Sequence, residues 1–337
     1  MKIGLSIASG ASITTSYTLK QWVDERIVMV RHARDCGFKI VSTGQHFLSR
    51  HHFLSQPIPL LARLAPESGD MLLMTGVLLL PLYNPCRLAE EMCTLDAITG
   101  GRFAMAVGVG YVDSEFEMFG VRKQDRGARQ REAILCLKQL LGAGKLDFEG
   151  KHYQFHDVKM YTRPVQKGGP PIWIGSGSQA GIRRAAEVAD GLYIGGYPPL
   201  SAVERNVNVY REHLARLGKP THNQFALRRE VYFDKDYKTA LRRALPEFQK
   251  TLQAYREAGL ETSLLPENLE HAKPGEMEIP FILGSPEECV EQIRTYQERL
   301  GVTHMIFRMQ VAGLTFKDVL KNMDTFGAKV LPHFHKN

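Results

Sequence analysis

Apolar positions in this chain switch repeatedly between two periods. Short continuous runs at Lys2 to Ala8, Phe38 to Gly44, Met71 to Leu80 and Arg102 to Val107 are bounded by turn residues, the pattern of strands buried on both faces. Between them run stripes of helical spacing. Val23, Ile27 and Val30 mark a helix over Trp22 to Cys36 that stops at Gly37, Ile58 to Leu64 forms a second, and Leu88, Met92 and Leu95 a third, opened by Asn84-Pro85 and closed by Gly100-Gly101.

The alternation continues. Arg129 to Leu141 is helical on Ile134, Leu137 and Leu141, and Phe148 to Val165 reads as a hairpin or extended excursion. Strands at Ile172 to Ile174 and Gly191 to Ile194 flank a helix over Gln179 to Ala189, whose apolar stripe is Ile182, Ala185, Ala186 and Ala189. Ser201 with Glu204 reads as a capping box opening a helix on Val203, Val207, Tyr210, Leu214 and Leu217. Phe225 to Phe233 and Thr303 to Gln310 are strands seven and eight, and Asp236 to Ala258 and Phe316 to Val330 are helices. Ser285-Pro286-Glu287-Glu288 is a strong helix start. Gly259 to Pro280 has few apolar anchors and is expected to be a lid loop.

Eight buried strands alternating with helices predict a (β/α)8 barrel, a TIM barrel, occupying residues 1–337 as one domain, with insertions at about 111–169 and 234–280 over one end. A doubly wound open sheet accommodates the strand count less well.

Composition narrows the class without changing the fold. Charged residues make up 23% and hydrophobic ones 44%, and the net charge of +7 is spread out, with no basic block of the kind that marks a nucleic-acid partner. Cys36, Cys86, Cys93, Cys136 and Cys289 are odd in number and form no CxxC pair, which fits reduced thiols in a cytoplasmic protein. Thr75 and Gly76 interrupt the longest apolar run, Met71 to Pro81, so no membrane association is expected.

In a barrel the chemistry sits at the C-terminal strand ends. Here these are Gln45 and His46, Leu80 to Tyr83, Gly108 to Tyr111, Gly175 to Gly177, Gly195 to Tyr197, and Arg308 to Gln310. Glycines dominate, and no carboxylate pair suited to acid–base hydrolysis is present. A mouth of this kind suits a flat, preformed cofactor. Gly175-Ser176-Gly177 just before a helix predicts a phosphate seat on free backbone N–H groups, although a turn used only for packing would look the same. With Gly181 the spacing is GxGxxxG and the next strand ends without an acid, so a dinucleotide site is disfavoured.

His46 is the titratable strand-end side chain suited to proton transfer, or else a structural hydrogen-bond partner. Arg50-His51-His52 lacks the carboxylate or cysteine that would complete a metal site with His46, and no serine sits in GxSxG. Arg102, Arg126, Arg129 and Arg131 read as surface or loop charges. Arg308, in an apolar strand, must either pair inside the barrel or face a ligand.

TGVLLLPLYNP (Thr75 to Pro85), AEEMCTLDAITGGRF (Ala89 to Phe103), VGVGYVDSEFEMFGV (Val107 to Val121), FEGKHYQF (Phe148 to Phe155) and PPIWIGSGSQAGIRRAAEVADGL (Pro170 to Leu192) together resemble the bacterial luciferase-like family of flavin-dependent monooxygenases and oxidoreductases. The resemblance implies a barrel, often a homodimer, that takes reduced FMN from a separate flavin reductase and uses O2 to oxygenate a small organic substrate. By position, the flavin ring would lie over Thr75, Gly76, Val77, Gly108, Val109 and Gly110, with a strained or cis bond near Gly76-Val77. The phosphate would rest on Gly175, Ser176 and Gly177, with Gly195 and Gly196 adjacent.

Relatives end strand two in Glu-His-His, whereas this chain has Gln45-His46-Phe47, so His46 keeps its place but loses the acid beside it. Phe47, His51, Tyr83, Tyr111, Arg308 and the lid would wall the substrate pocket, an aromatic set suited to a hydrophobic ligand. The same family includes enzymes that transfer hydride to or from 8-hydroxy-5-deazaflavin, which is the alternative cofactor. A flavin-binding protein without turnover is a further alternative.

Overall fold

The computed structural model describes residues 1–8, 17–48, 56–222, 224–260, 280–311 and 313–334. In chain order the strands are β1 Lys2–Ser6, β2 Ile40–Thr43, β3 Leu72–Leu79, β4 Phe103–Gly108, β5 Lys145–Glu149, β6 Gln154–Lys159, β7 Ile172–Gly175, β8 Gly191–Ile194, β9 Gln224–Phe233, β10 Phe281–Gly284 and β11 His304–Arg308. The helices are α1 Leu19–Cys36, α2 Pro57–Leu64, α3 Pro85–Thr99, α4 Asp113–Met118, α5 Arg126–Ala143, α6 Gln179–Val188, α7 Leu200–Arg216, α8 Tyr237–Glu257, α9 Pro286–Leu300 and α10 Phe316–Lys329.

Eight parallel strands close on themselves in the order β9-β11-β1-β2-β3-β4-β7-β8, and β9 pairs with both β11 and β8. The helices flank this barrel as in other α/β barrels. Ends are set locally. Thr18 and Gln21 form a capping box at α1, Gly37 ends that helix at φ 96°, and the Asn84 side chain accepts from the N–H groups of Cys86 and Arg87 at α3. Ser285 and Glu288 form the predicted box at α9.

Three local expectations are corrected. Phe281–Gly284, too short to show a period, is a ninth strand, and it pairs along β9 from Glu230 onward, where the β11 pairing ends. The Ser201–Glu204 capping box does not form. The N-cap of α7 is Pro199, and Glu204 instead holds Arg299 of α9 through two bonds of 2.6 and 2.8 Å. The hairpin after α5 is β5–β6, which starts three residues earlier than the aromatic pattern suggests. Among the described residues no helix is long and apolar enough to cross a membrane.

The core has two parts, as period-2 strands in a barrel require. Outward-facing side chains such as Leu5, Val41, Leu73, Met105 and Leu227 pack under the helices. Inward-facing ones, Ile40, Met74, Ala104, Ala106, Trp173, Tyr193, Ala226 and Ile306, fill the barrel itself. The alanines of β4 leave room for the indole of Trp173.

Candidate active site

The period that fills the barrel also empties its mouth. Continuing inward by two residues takes Met74 to Gly76, Ala106 to Gly108 and Trp173 to Gly175, so three adjacent strands each reach the mouth in a residue without a side chain. Above them opens a cavity of about 420 Å3. The peptide bond Gly76-Val77 is cis, and the β3–β4 register shifts between Gly76 and Leu78. A Cβ on Gly108 or Gly175 would lie 2.7 or 2.5 Å from a methyl of Val77. These two glycines therefore make room for Val77, which itself lines the cavity.

On the opposite side the same period continues with charge. Ala226 of β9 is followed inward by Arg228 and Glu230, and Ile306 of β11 by Arg308. Arg308 Nε donates to Glu230 Oε2 at 2.5 Å, its Nη2 donates to Tyr197 Oη at 3.0 Å, and Arg228 Nη2 lies 3.5 Å from Glu230 Oε1. Arg308 thus both pairs inside the barrel and lines the cavity. Arg229 between them points outward, with Nε on Tyr296 Oη and Nη2 on the carbonyl of Pro198, which braces the loop after β8.

At the β2 edge, Gln45 lines the cavity, but its polar atoms are committed to the protein. Its Oε1 accepts from Leu79 N, and its Nε2 donates to Gln56 and Tyr83. The acid comes from elsewhere. Glu115 of α4, 1% exposed, accepts on Oε1 from Phe47 N at 2.6 Å and lies 3.1 Å from His46 Nδ1, while Tyr111 Oη lies 3.1 Å from His46 Nε2. A carboxylate that already accepts a backbone N–H draws the His46 proton to Nδ1, leaving Nε2 to accept from Tyr111. Burial raises the Tyr111 hydroxyl far above the usual tyrosine range, so it remains a neutral donor.

The loop before α6 has its own bonds. Ser178 is the N-cap and accepts from Gly181 N, Ser178 N donates to Ser176 Oγ, and Asn206 Nδ2 donates to the carbonyl of Gly177. Gly181 is required by packing, since a Cβ there would lie 2.1 Å from Ser176 Oγ. Gly175, Ser176, Gly177 and Ser178 line the cavity, as do Lys123 and Arg126 from the insertion after β4.

Residues 1–304 match the luciferase-like monooxygenase family. The chain belongs to that family. It is similar to an F420-dependent glucose-6-phosphate dehydrogenase of Nakamurella multipartita, 26% identical over 89% of each chain. It is also similar to the oxygenase component of a flavin-dependent trigonelline monooxygenase of Acinetobacter baylyi, 29% identical over 48% of this chain and 45% of that one. Among solved structures, the monooxygenase RslO1 of Streptomyces bottropensis superposes with a TM-score of 0.86 at 22% identity, covering 99% of this chain and 100% of that one. The chain is thus an oxidoreductase of the luciferase-like class, and both flavin and deazaflavin enzymes are among its relatives.

Within this luciferase-like barrel, His46, Gly76, Val77, Gly108, Val109, Gly110, Tyr111, Gly175, Ser176, Gly177, Gly195, Gly196 and Arg308 come together around one cavity. Thr75 does not reach it: its hydroxyl donates to the carbonyl of Ala106 inside the barrel. Phe47 and Tyr83 turn away too, packing with Phe119, Leu79 and Leu82. His51 and residues 261–279 of the expected lid lie outside the described residues. Arg126, read as a surface charge, faces the cavity because α5 begins three residues earlier than its apolar stripe indicates.

Sequence reasoning missed Glu115, Arg228 and Glu230. The run Arg228-Arg229-Glu230 inside an otherwise buried strand was a readable signal, because charge in such a strand needs a partner or a ligand. Glu115 carried none, since only the fold brings α4 beside β2. The described His, Cys and acidic residues with metal-ligand spacing, His32, Cys36 and Asp324, join α1 to α10, and none of them lines the cavity.

Proposed function

We propose that this chain is the oxygenase of a two-component system, binding FMN reduced by a separate flavin reductase and using O2 to oxygenate a small, largely apolar organic substrate. The observation that carries the reading is the wall where Gly76, Gly108 and Gly175 let Val77 lie flat against the strands, running directly into the Gly175–Ser178 loop at the start of α6. A flat ring fits such a wall, and a phosphate fits a helix N-terminus with Lys123 and Arg126 on the same cavity. Gly195 differs from these three, since a Cβ there would meet nothing within 4 Å and the residue opens onto the cavity. The cavity volume is in the range of ordinary cofactor and ligand sites.

Bound reduced FMN would supply the electrons for oxygen activation. The chain's own part is to hold and exclude. Val77 backs the ring, and Tyr111, Tyr197 and Tyr255 wall the remaining space against water. His46, fixed at Nδ1 by Glu115, exchanges a proton at Nε2 through Tyr111. The family resemblance adds a homodimer, which sedimentation would check.

The match to an F420-dependent dehydrogenase over nine-tenths of both chains favours a second reading, hydride transfer with 8-hydroxy-5-deazaflavin. Titration of the purified chain with each cofactor decides between them. Tight binding of reduced FMN together with substrate-dependent oxygen consumption above the spontaneous oxidation of free reduced FMN supports the oxygenase. Binding of the deazaflavin alone selects the hydride-transfer enzyme, and FMN binding with no oxygen consumption beyond the spontaneous background selects a carrier.

A further inference from the structure

Among the described residues, every charged side chain lining the cavity is a cation: Lys123, Arg126, Arg228 and Arg308. They fall into two groups on opposite sides. Lys123 and Arg126 follow β4 and serve the phosphate side, whereas Arg308 ends β11, four strands away around the eight-stranded barrel. Arg228 and Arg308 share a single carboxylate, that of Glu230, which is fully buried behind them. Guanidinium groups do not deprotonate, so among the described residues this wall carries one positive charge more than it neutralises. A cluster that served only to hold the fold would be balanced, because an uncompensated buried charge is strongly destabilising.

A donor there also awaits a partner. Arg228 Nε is buried and makes no hydrogen bond among the described residues, and the hydroxyl of Tyr193, beside Ser42, belongs to a side chain that lines the same cavity. Burial raises the Tyr193 hydroxyl above the usual tyrosine range and keeps it a neutral donor. Tyr197 and Tyr255 supply apolar surface next to these groups, with ring centroids 4.9 Å apart.

We infer that Arg228, Arg308 and Tyr193 form a subsite for the carboxylate of the substrate, so that the molecule acted on is an organic monoacid with an apolar body. A single surplus charge matches a monoanion, and planar guanidinium donors match a carboxylate. The inference rests on the oxygenase reading for its substrate role, but its binding chemistry can be read without turnover.

The test is calorimetric titration of the full chain, saturated with FMN, with 4-phenylbutyrate and with the isosteric 4-phenylbutanol. The acid should bind at least tenfold more tightly than the alcohol. Arg228→Gln should remove that preference and leave the alcohol unchanged. Glu230→Gln, which adds to the surplus charge, should shift acid binding the opposite way, towards higher affinity. Equal affinity for acid and alcohol, or an unchanged preference in Arg228→Gln, overturns the inference. So does a drop in FMN affinity in Arg228→Gln together with displacement of FMN by the acid, which would assign the cluster to the cofactor. If FMN does not bind at all, the oxygenase reading fails, and the same titration on the chain alone still decides whether the acid is preferred.

Discussion

Two glycines that look alike in sequence should behave oppositely when each receives a methyl group. At Gly175 an added Cβ would lie 2.5 Å from Val77 Cγ1, against 3.4–4 Å for ordinary contact, whereas at Gly195 it would meet nothing within 4 Å. Overpacking of this kind costs about 1–3 kcal/mol. At roughly 2.1 cal/mol/K per residue, a 337-residue chain loses about 0.7 kcal/mol of stability per degree near its midpoint. Gly175→Ala should therefore lower Tm by about 1–4 °C.

Gly195→Ala should leave Tm unchanged or raise it slightly, since alanine restricts the unfolded chain, while its methyl occupies cavity space and weakens FMN binding. Differential scanning calorimetry and FMN fluorescence quenching read the two effects separately. Val77→Ala removes the clashing methyls, so the Gly175→Ala/Val77→Ala double variant should be less destabilised than the sum of the single changes, by about 1 kcal/mol or more. Additive behaviour, or a Gly195→Ala variant as destabilised as Gly175→Ala, would refute the division into packing and cavity glycines.

Gly177→Asp places a carboxylate in the α6 loop and should weaken FMN binding by about tenfold or more, with the far-UV spectrum unchanged; retained affinity removes the loop as the phosphate seat. Glu115→Ala should slow oxygen consumption with reduced FMN by about tenfold or more while FMN affinity stays within about twofold, and Glu115→Gln should recover part of the rate because its amide oxygen still accepts from Phe47 N. An unaffected rate in Glu115→Ala would make the His46 contact purely structural.

His304 adds a pH prediction. Burial, reinforced by Lys2 and the N-terminus, pulls its pKa from 6.5 down to about 4. Between these values the unfolded chain binds the proton and the folded chain does not. Stability contributed by the neutral ring is thus complete above about pH 6.5 and falls as the pH drops towards 4, by about 3 kcal/mol at most. The Tm difference between His304→Gln and the parent should shrink through that window, and a constant difference would contradict the assignment.

The order of the eight barrel strands, the caps at Asn84, Gly37 and Ser285, and the glycine-rich strand ends were legible along the chain. They depend on neighbours within a few residues and on a period that any strand or helix must obey. From these the barrel follows by counting, and with it the end at which a cavity opens. Which glycines admit Val77 and which open onto the cavity depends on where a cis-linked valine points between β4 and β7. That the acid missing beside His46 is returned by Glu115, 69 residues later, depends on a helix after β4 folding back over β2. The charged wall is an intermediate case. Arg228, Glu230 and Arg308 stand out in sequence as charge in buried strands, but only the pairing of β9 with β11 brings two cations onto one carboxylate.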